Sequence, residues 1–284
     1  MHSVLNLRPY HLLTVWRLTI GTTRAFLRHD GFDRAASIAY YALLSIFPLL
    51  LGLTLALGVV LESIQEDVLN LVGEVLPTSK DLVLSNIRSL VDARGAVGVI
   101  TFLGLLWSGR AVFGAVRRAL DAVWEHDYHH PLHHELITDF GLAIGSGLLL
   151  TMTVMASAIG GVLEHLEPFT NPAGLLLAGI ISTYAPFAGT FLLFLLVYRF
   201  LPSVLLSWRE IWPGALLGSL LFELAKSMFF WYVVLVGNYA LVYGSLASAV
   251  AFMVWAYFSA IVVLIGAEFS VQLSRMLAAA ANPD

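Results

Sequence analysis

Apolar runs of about 20 residues or more recur from one end of this chain to the other, each long enough to cross a hydrocarbon core of about 30 Å. Lipid offers the backbone no hydrogen-bond partners, so runs of this length must satisfy their own N–H and C=O groups as α-helix. Composition agrees: 59% of the 284 residues are hydrophobic and 12% are charged, where a soluble domain carries about a quarter charged residues. The expected fold is an all-α polytopic membrane protein with six transmembrane helices. They fall over residues 35–61, 95–123, 137–163, 173–201, 211–236 and 241–273. In the second, the apolar stretch ends at Trp107 and Arg110 follows, which reads as a short or tilted crossing that continues into an amphipathic turn.

Charge sets orientation. Arg8, Arg17, Arg24, Arg28 and Arg34 precede the first span, Arg117 and Arg118 close the second, Arg199 and Arg209 flank the link after the fourth, and Arg275 follows the sixth. Six crossings put all of these on one side, which the positive-inside rule makes cytoplasmic. Residues 164–171 and 237–240, on the other side, hold no Lys or Arg. The long outer loop 62–94 has Lys80, Arg88 and Arg94 but is net acidic. The expected location is therefore the bacterial cytoplasmic (inner) membrane, multi-pass, with both termini cytoplasmic.

Outside the spans, Leu12, Leu13, Trp16, Leu18 and Phe26 interleave with arginines, so residues 1–34 read as an interfacial helix on the inner leaflet. Their arginines and polar breaks are not the pattern of a cleavable signal peptide. In loop 62–94, Ile64, Val68, Leu71, Val72 and Val75 recur at helical spacing, and Pro77 separates them from a second such stretch. Two short amphipathic helices are expected there, and residues 274–284 form a cytoplasmic tail.

Several function classes fall away. A net charge of −4 supplies no basic surface for nucleic acid. The absence of cysteine removes disulfides and thiol chemistry. His126, His129, His130, His133 and His134, followed by Glu135, include i,i+4 pairs, but Pro131 interrupts them and the H-E-x-x-H spacing is missing. They read as a juxtamembrane linker, and no metal and no cofactor is expected.

Charge inside a span is costly, about 2.5–3.5 kcal/mol at the centre of a helix, and so points to a protein- or water-facing surface. The fifth span carries Glu223 and Lys226, three residues apart and able to pair, with Ser219 and Ser227 one turn to either side of Glu223. This polar stripe either lines a solute path or joins helices as an internal ion pair. Glu268, near the cytoplasmic end of the sixth span, either belongs to the path or is simply hydrated there, and Arg110 is a natural counter-charge for either acid. Pro48 and Pro186 fall inside spans and predict kinks that serve gating or packing. Gly141–Gly145 and Gly214–Gly218 are small-xxx-small pairs that permit close helix contact, within the chain or between protomers of a homo-oligomer.

The segments AASIAYYALLSIFPLLL (35–51), LLWSGRAVFGAVRRALDAVW (105–124), YRFLPSVLLSWREIWPGALLGSLLFELAKSMFFWYV (198–233) and YGSLASAVAFMVWAYFSAIVVLIGAEF (243–269) together, and in this order, resemble the YihY/BrkB family. The matching positions are Tyr40, Tyr41, Pro48, Trp107, Tyr198, Pro202, Gly214, Glu223, Lys226, Tyr232, Tyr243, Gly244, Trp255, Gly266 and Glu268; Arg110 departs from the small residue expected near it. The resemblance implies a six-span inner-membrane protein. Its labels range from ribonuclease BN through virulence and serum resistance to transport. The leading expectation is a transporter or exporter of a small solute or lipid-like molecule, with the lipid bilayer as its surroundings and no nucleic acid partner. A scaffold or regulator of envelope partners comes second and a ribonuclease third, because no catalytic constellation is present.

Overall fold

The computed structural model describes residues 9–63, 96–125, 132–163, 172–235 and 247–281, and among them are seven helices, six over the predicted apolar runs and one in the N-terminal segment. They are α1 (Pro9–Arg28), α2 (Gly31–Ser63), α3 (Ala96–Val123), α4 (Leu132–Leu163), α5 (Pro172–Phe200), α6 (Trp208–Leu235) and α7 (Ala247–Ala281). No strand occurs among the described residues, so the all-α expectation holds. The short helices expected within 62–94 fall almost wholly outside the described residues, as do Tyr243 and Gly244. The second predicted span is one continuous helix, α3, through Arg110. Among the described residues, Trp208–Tyr232 and Ala247–Ala279 are long and apolar enough to cross a membrane, while Ile137–Thr153 and Tyr184–Phe200 are shorter apolar stretches.

Local chemistry sets the ends. The link into α6 is a capping box: Glu210 reaches back to accept from the Ser207 N–H at 2.8 Å, satisfying a donor the first turn leaves open. Pro172 opens α5, where its missing N–H costs nothing. Arg28 and Arg199 lie in the last turns of α1 and α5, where cations oppose the negative end of the helix dipole. Between α1 and α2 the chain turns within two residues. Asp30 takes a left-handed conformation at φ 53°, and Gly31 is required because a Cβ there would collide with the Phe26 ring.

The chain forms two compact units, one of Met1–Tyr40 with Phe113–Asp284 and the other Tyr41–Val112. In the smaller unit the Pro48 ring lies against Gly104, so the proline of α2 meets the glycine of α3. In the larger unit α4 packs on α5, α5 on α6, α6 on α7 and α7 on α1. Paired residues run in opposite directions along each contact: Thr153 faces Gly189 while Gly141 and Gly145 lie with Leu196 and Phe200, Tyr198 faces Gly218 while Phe194 meets Phe222, and Gly214 meets Ser270 while Phe222 meets Trp255. Neighbours are thus antiparallel, as short links demand.

The core of this unit is where α5, α6 and α7 meet. Tyr198 is fully buried and its hydroxyl donates to the Val263 carbonyl at 2.6 Å. Phe194 packs edge-on against it at 5.7 Å, and Phe222, Trp255 and Phe229 continue the aromatic row. Tyr198→Phe keeps the ring and removes the donor. It is expected to lower stability by about 0.5–1.5 kcal/mol, read as a small drop in the thermal midpoint in detergent.

Candidate functional site

The polar stripe of α6 is divided by its packing. Ser219 is fully buried and donates to its own helix at Leu216 O, 2.9 Å away. Glu223 and Lys226 lie on the partly exposed side. Their atoms Oε1 and Nζ are 2.6 Å apart, with side chains 35% and 37% exposed. This is an ion pair in which that carboxylate oxygen makes no hydrogen bond of good geometry. Ser227, exposed, donates to Glu223 O at 3.1 Å. The Lys226 ammonium also stands 5.7 Å above the Phe222 ring, a cation–π contact. Beside it, Lys226, Phe229, Phe230 and Trp255 line an open pocket of about 340 Å³. The geometry therefore places one ion pair at the edge of an aromatic pocket, the only charges of α6 beyond its first turn.

At 1.5 Å per residue, Glu223 stands about 22 Å along α6 from Trp208, inside the stretch Trp208–Tyr232 that is long and apolar enough to cross a membrane.

Glu268 is placed differently. It is fully buried, which removes the hydrated reading of this residue, and its Oε1 lies 2.6 Å from His29 Nδ1. Arg110, the counter-charge expected from sequence, is an exposed residue of the smaller unit, whereas Glu223 pairs with Lys226 and Glu268 with His29. His29 leads outward to Glu125, whose Oε1 is 3.5 Å from His29 Nε2 and 2.6 Å from Arg28. Its other oxygen is 3.0 Å from Arg275. The Arg275 guanidinium above all, and then Arg28, holds the Glu125 carboxyl below its ordinary value.

A third polar group lies nearby. Arg117 forms a buried ion pair with Asp139 and donates from Nε to Leu201 O at 3.0 Å. Asp121, one turn on, accepts from the Ser203 N–H at 2.7 Å and from its hydroxyl at 2.9 Å. These two acids and one arginine tie the end of α3 to the start of α4 and to the α5–α6 link. The regions that carry Arg28 and Arg34, Arg117 and Arg118, Arg199, and Arg275 thus meet at one end of the larger unit, with Arg34 donating to Arg118 O.

Of the remaining sequence-derived positions, Pro186 accepts from the Thr190 hydroxyl at 2.9 Å. Tyr40 and Trp107 are exposed, Tyr232 is borderline exposed, and Tyr198, Pro202, Gly214 and Gly266 are buried. His126, His129 and His130 lie outside the described residues, and His133, His134 and Glu135 stand in the first turns of α4. Among the described residues no three acidic or histidine side chains gather as a metal site. Sequence reasoning missed His29, Glu125, Asp121 and Asp139. Asp139 carried a signal, since it is an acid inside a predicted span. So did Arg117 and Asp121, one turn apart on one helix face.

The family model described as Virulence factor BrkB matches residues 22–284. A UPF0761 membrane protein of Alkalilimnicola ehrlichii is 32% identical over 88% of this chain and 56% of its own length. A UPF0761 membrane protein of Glaesserella parasuis is 28% identical over 70% of each chain. The ribonuclease-like protein YfkH of Bacillus subtilis is 25% identical over 87% of this chain and 91% of its own. The chain thus spans about half the length of the first of these relatives and most of the last. No solved structure matches.

Proposed function

Because this chain belongs to the BrkB virulence-factor family of membrane proteins, we propose that it is a transporter or exporter of a small solute or lipid-like molecule in the bacterial inner membrane. In this reading α2 to α7 make six crossings. The arginine-bearing end of the larger unit faces the cytoplasm with both termini, by the positive-inside rule. The α1 helix lies along the inner leaflet and packs on α7. The path runs past Glu223, Lys226 and Ser227, with Pro48 and Pro186 as the bending points of the helices that gate it. Ser219, being buried, supports this face from behind.

One observation carries the proposal. An ion pair with both side chains about one-third exposed sits at a depth where lipid would face it, and lipid solvates charge poorly. Such a pair needs water, solute or protein opposite it, and an aromatic pocket adjoins it. The scaffold reading predicts a paired and dry Glu223–Lys226. The 2.6 Å separation and the buried Glu223 Oε1 fit that reading, while the one-third exposure of both side chains favours an open face. A catalytic role is not part of the proposal, and the ribonuclease wording of the Bacillus protein is left with that protein.

The test is flux. Purified protein in liposomes is offered a panel of labelled solutes and fluorescent lipids. Movement of at least one, reduced roughly tenfold or more by Glu223→Gln (a loss of about 1.4 kcal/mol of stabilisation along the path), supports the reading. No movement of any, with Glu223→Gln harmless to cells, sinks it.

A further inference from the structure

Three titratable side chains run from the surface of the larger unit to its interior, and the solute path described above uses none of them. Glu125, in the turn after α3, is 47% exposed at its side chain, His29, at the end of α1, 13%, and Glu268, on α7, 1%. They stand in that order, 3.5 Å and then 2.6 Å apart. We propose that Glu268 is a proton-binding site whose proton exchanges with water through His29 and then Glu125.

The arrangement has the parts a relay needs. Glu268 offers one oxygen to His29, while its Oε2 is buried and has no hydrogen-bond partner among the described residues. That oxygen meets no donor that would hold a fixed negative charge, so the carboxyl is poised to bind a proton, which reaches it at Oε1, 2.6 Å from His29 Nδ1. An imidazole accepts at one nitrogen while it donates at the other. Arg28 donates to His29 Nε2 at 3.2 Å, which leaves the ring hydrogen on Nδ1, toward Glu268 Oε1. A proton taken up from water by Glu125 passes from its Oε1 to His29 Nε2, and the Nδ1 hydrogen passes to Glu268 Oε1. The ring ends with as many protons as it began and its tautomer exchanged, Glu125 is left as carboxylate, and Glu268 becomes the acid. Arg275 and Arg28 favour the carboxylate form of Glu125, so the reverse sequence unloads Glu268 and releases the proton to water.

The surroundings keep the route narrow. Arg28 and His29 face Glu268 from α1, Glu125 from the turn after α3, and Arg275 from α7 itself. Arg34 of α2 fixes the turn by donating to His29 O at 2.7 Å. On the inner side α6 meets this stretch of α7 through Ile211, Gly214 and Gly218, and α5 through Tyr198, whose hydroxyl is committed to Val263 O. Glu125 keeps its position at a cost. It sits at φ 53°, a left-handed conformation that a residue with a long side chain rarely adopts.

The experiment is infrared difference spectroscopy on the full chain in liposomes of phosphatidylethanolamine and phosphatidylglycerol, taken across a pH step. A protonated-carboxyl carbonyl band is expected to titrate in the wild type and to vanish in Glu268→Gln. In His29→Phe and in Glu125→Gln the band should persist, and its response to the step should slow by roughly tenfold or more. Glu125→Gln alters a surface side chain, so it reads the relay even if a core variant does not fold. A band that survives Glu268→Gln overturns the proposal, and so does wild-type speed in both relay variants. No solute is needed for this measurement, so its result is separate from that of the flux assay.

Discussion

Arg117→Ala should destabilise the protein by about 3–5 kcal/mol, because it leaves the Asp139 carboxylate buried without its cation. The side chains of the pair are 8% and 4% exposed, so water cannot replace the arginine. Two further consequences separate this from a generic loss of contacts. Arg117→Lys should rescue little, since an ammonium cannot supply both the bond to Asp139 and the planar Nε donor to Leu201 O. The double substitution Arg117→Met with Asp139→Leu should recover most of the loss, because it removes both charges together. Thermal and denaturant unfolding in detergent, followed by helical circular dichroism, measures all three. Equal midpoints for the single and double variants would remove the ion pair from the account.

The second large effect is at Gly214. A Cβ there would overlap the Gly266 carbonyl and the Ser270 side chain. The Gly266 carbonyl is backbone and cannot yield as a flexible side chain would. The Gly214 N–H also donates to Ser270 Oγ at 3.1 Å, a bond that is lost if the helices are pushed apart. Gly214→Leu is expected to cost about 1–3 kcal/mol or more from overpacking and to part α6 from α7. Gly141→Ala is the control. Nothing lies within 4 Å of a Cβ at Gly141, so it should be tolerated, with a gain of up to about 1 kcal/mol from helix propensity.

That contrast shows what could be read in advance. Gly141–Gly145 and Gly214–Gly218 have the same spacing and the same local chemistry, and sequence could not tell them apart. The difference is what stands opposite. Gly214 and Gly218 meet Gly266 and Phe194, which are 52 and 24 residues distant in the chain, while Gly141 and Gly145 meet open space and border an apolar pocket of about 290 Å³ with Leu196 and Phe200. The helices themselves were legible, because an apolar run of span length has one way to satisfy its backbone. The gathering of the arginines at one end was legible for a similar reason, since short links force neighbouring helices to alternate.

Pairing of charges was legible only where it is local. Glu223 and Lys226 are three residues apart and do meet. The partner of Glu268 is 239 residues away, and no periodicity reaches that far. His29 looked like one more residue of a basic N-terminal segment, and its role depends on the sharp turn at Asp30 and Gly31 that aims it back at α7. Asp139 and Arg117 were each visible as an ionisable residue close to a predicted span boundary. Their pairing needed the packing of α3 beside α4.

If the proposed path is right, the Glu223–Lys226 face of α6 meets water or solute rather than lipid or sealed protein. The chain has no native cysteine, so single thiols report without a background. Ser227→Cys, beside the ion pair, should react with a membrane-impermeant thiol reagent in intact vesicles. Met228→Cys, exposed but about 140° around the helix from Glu223 at 100° per residue, should react only with a lipid-soluble one. A Ser227→Cys thiol that ignores the impermeant reagent and is labelled solely from the lipid would contradict the account.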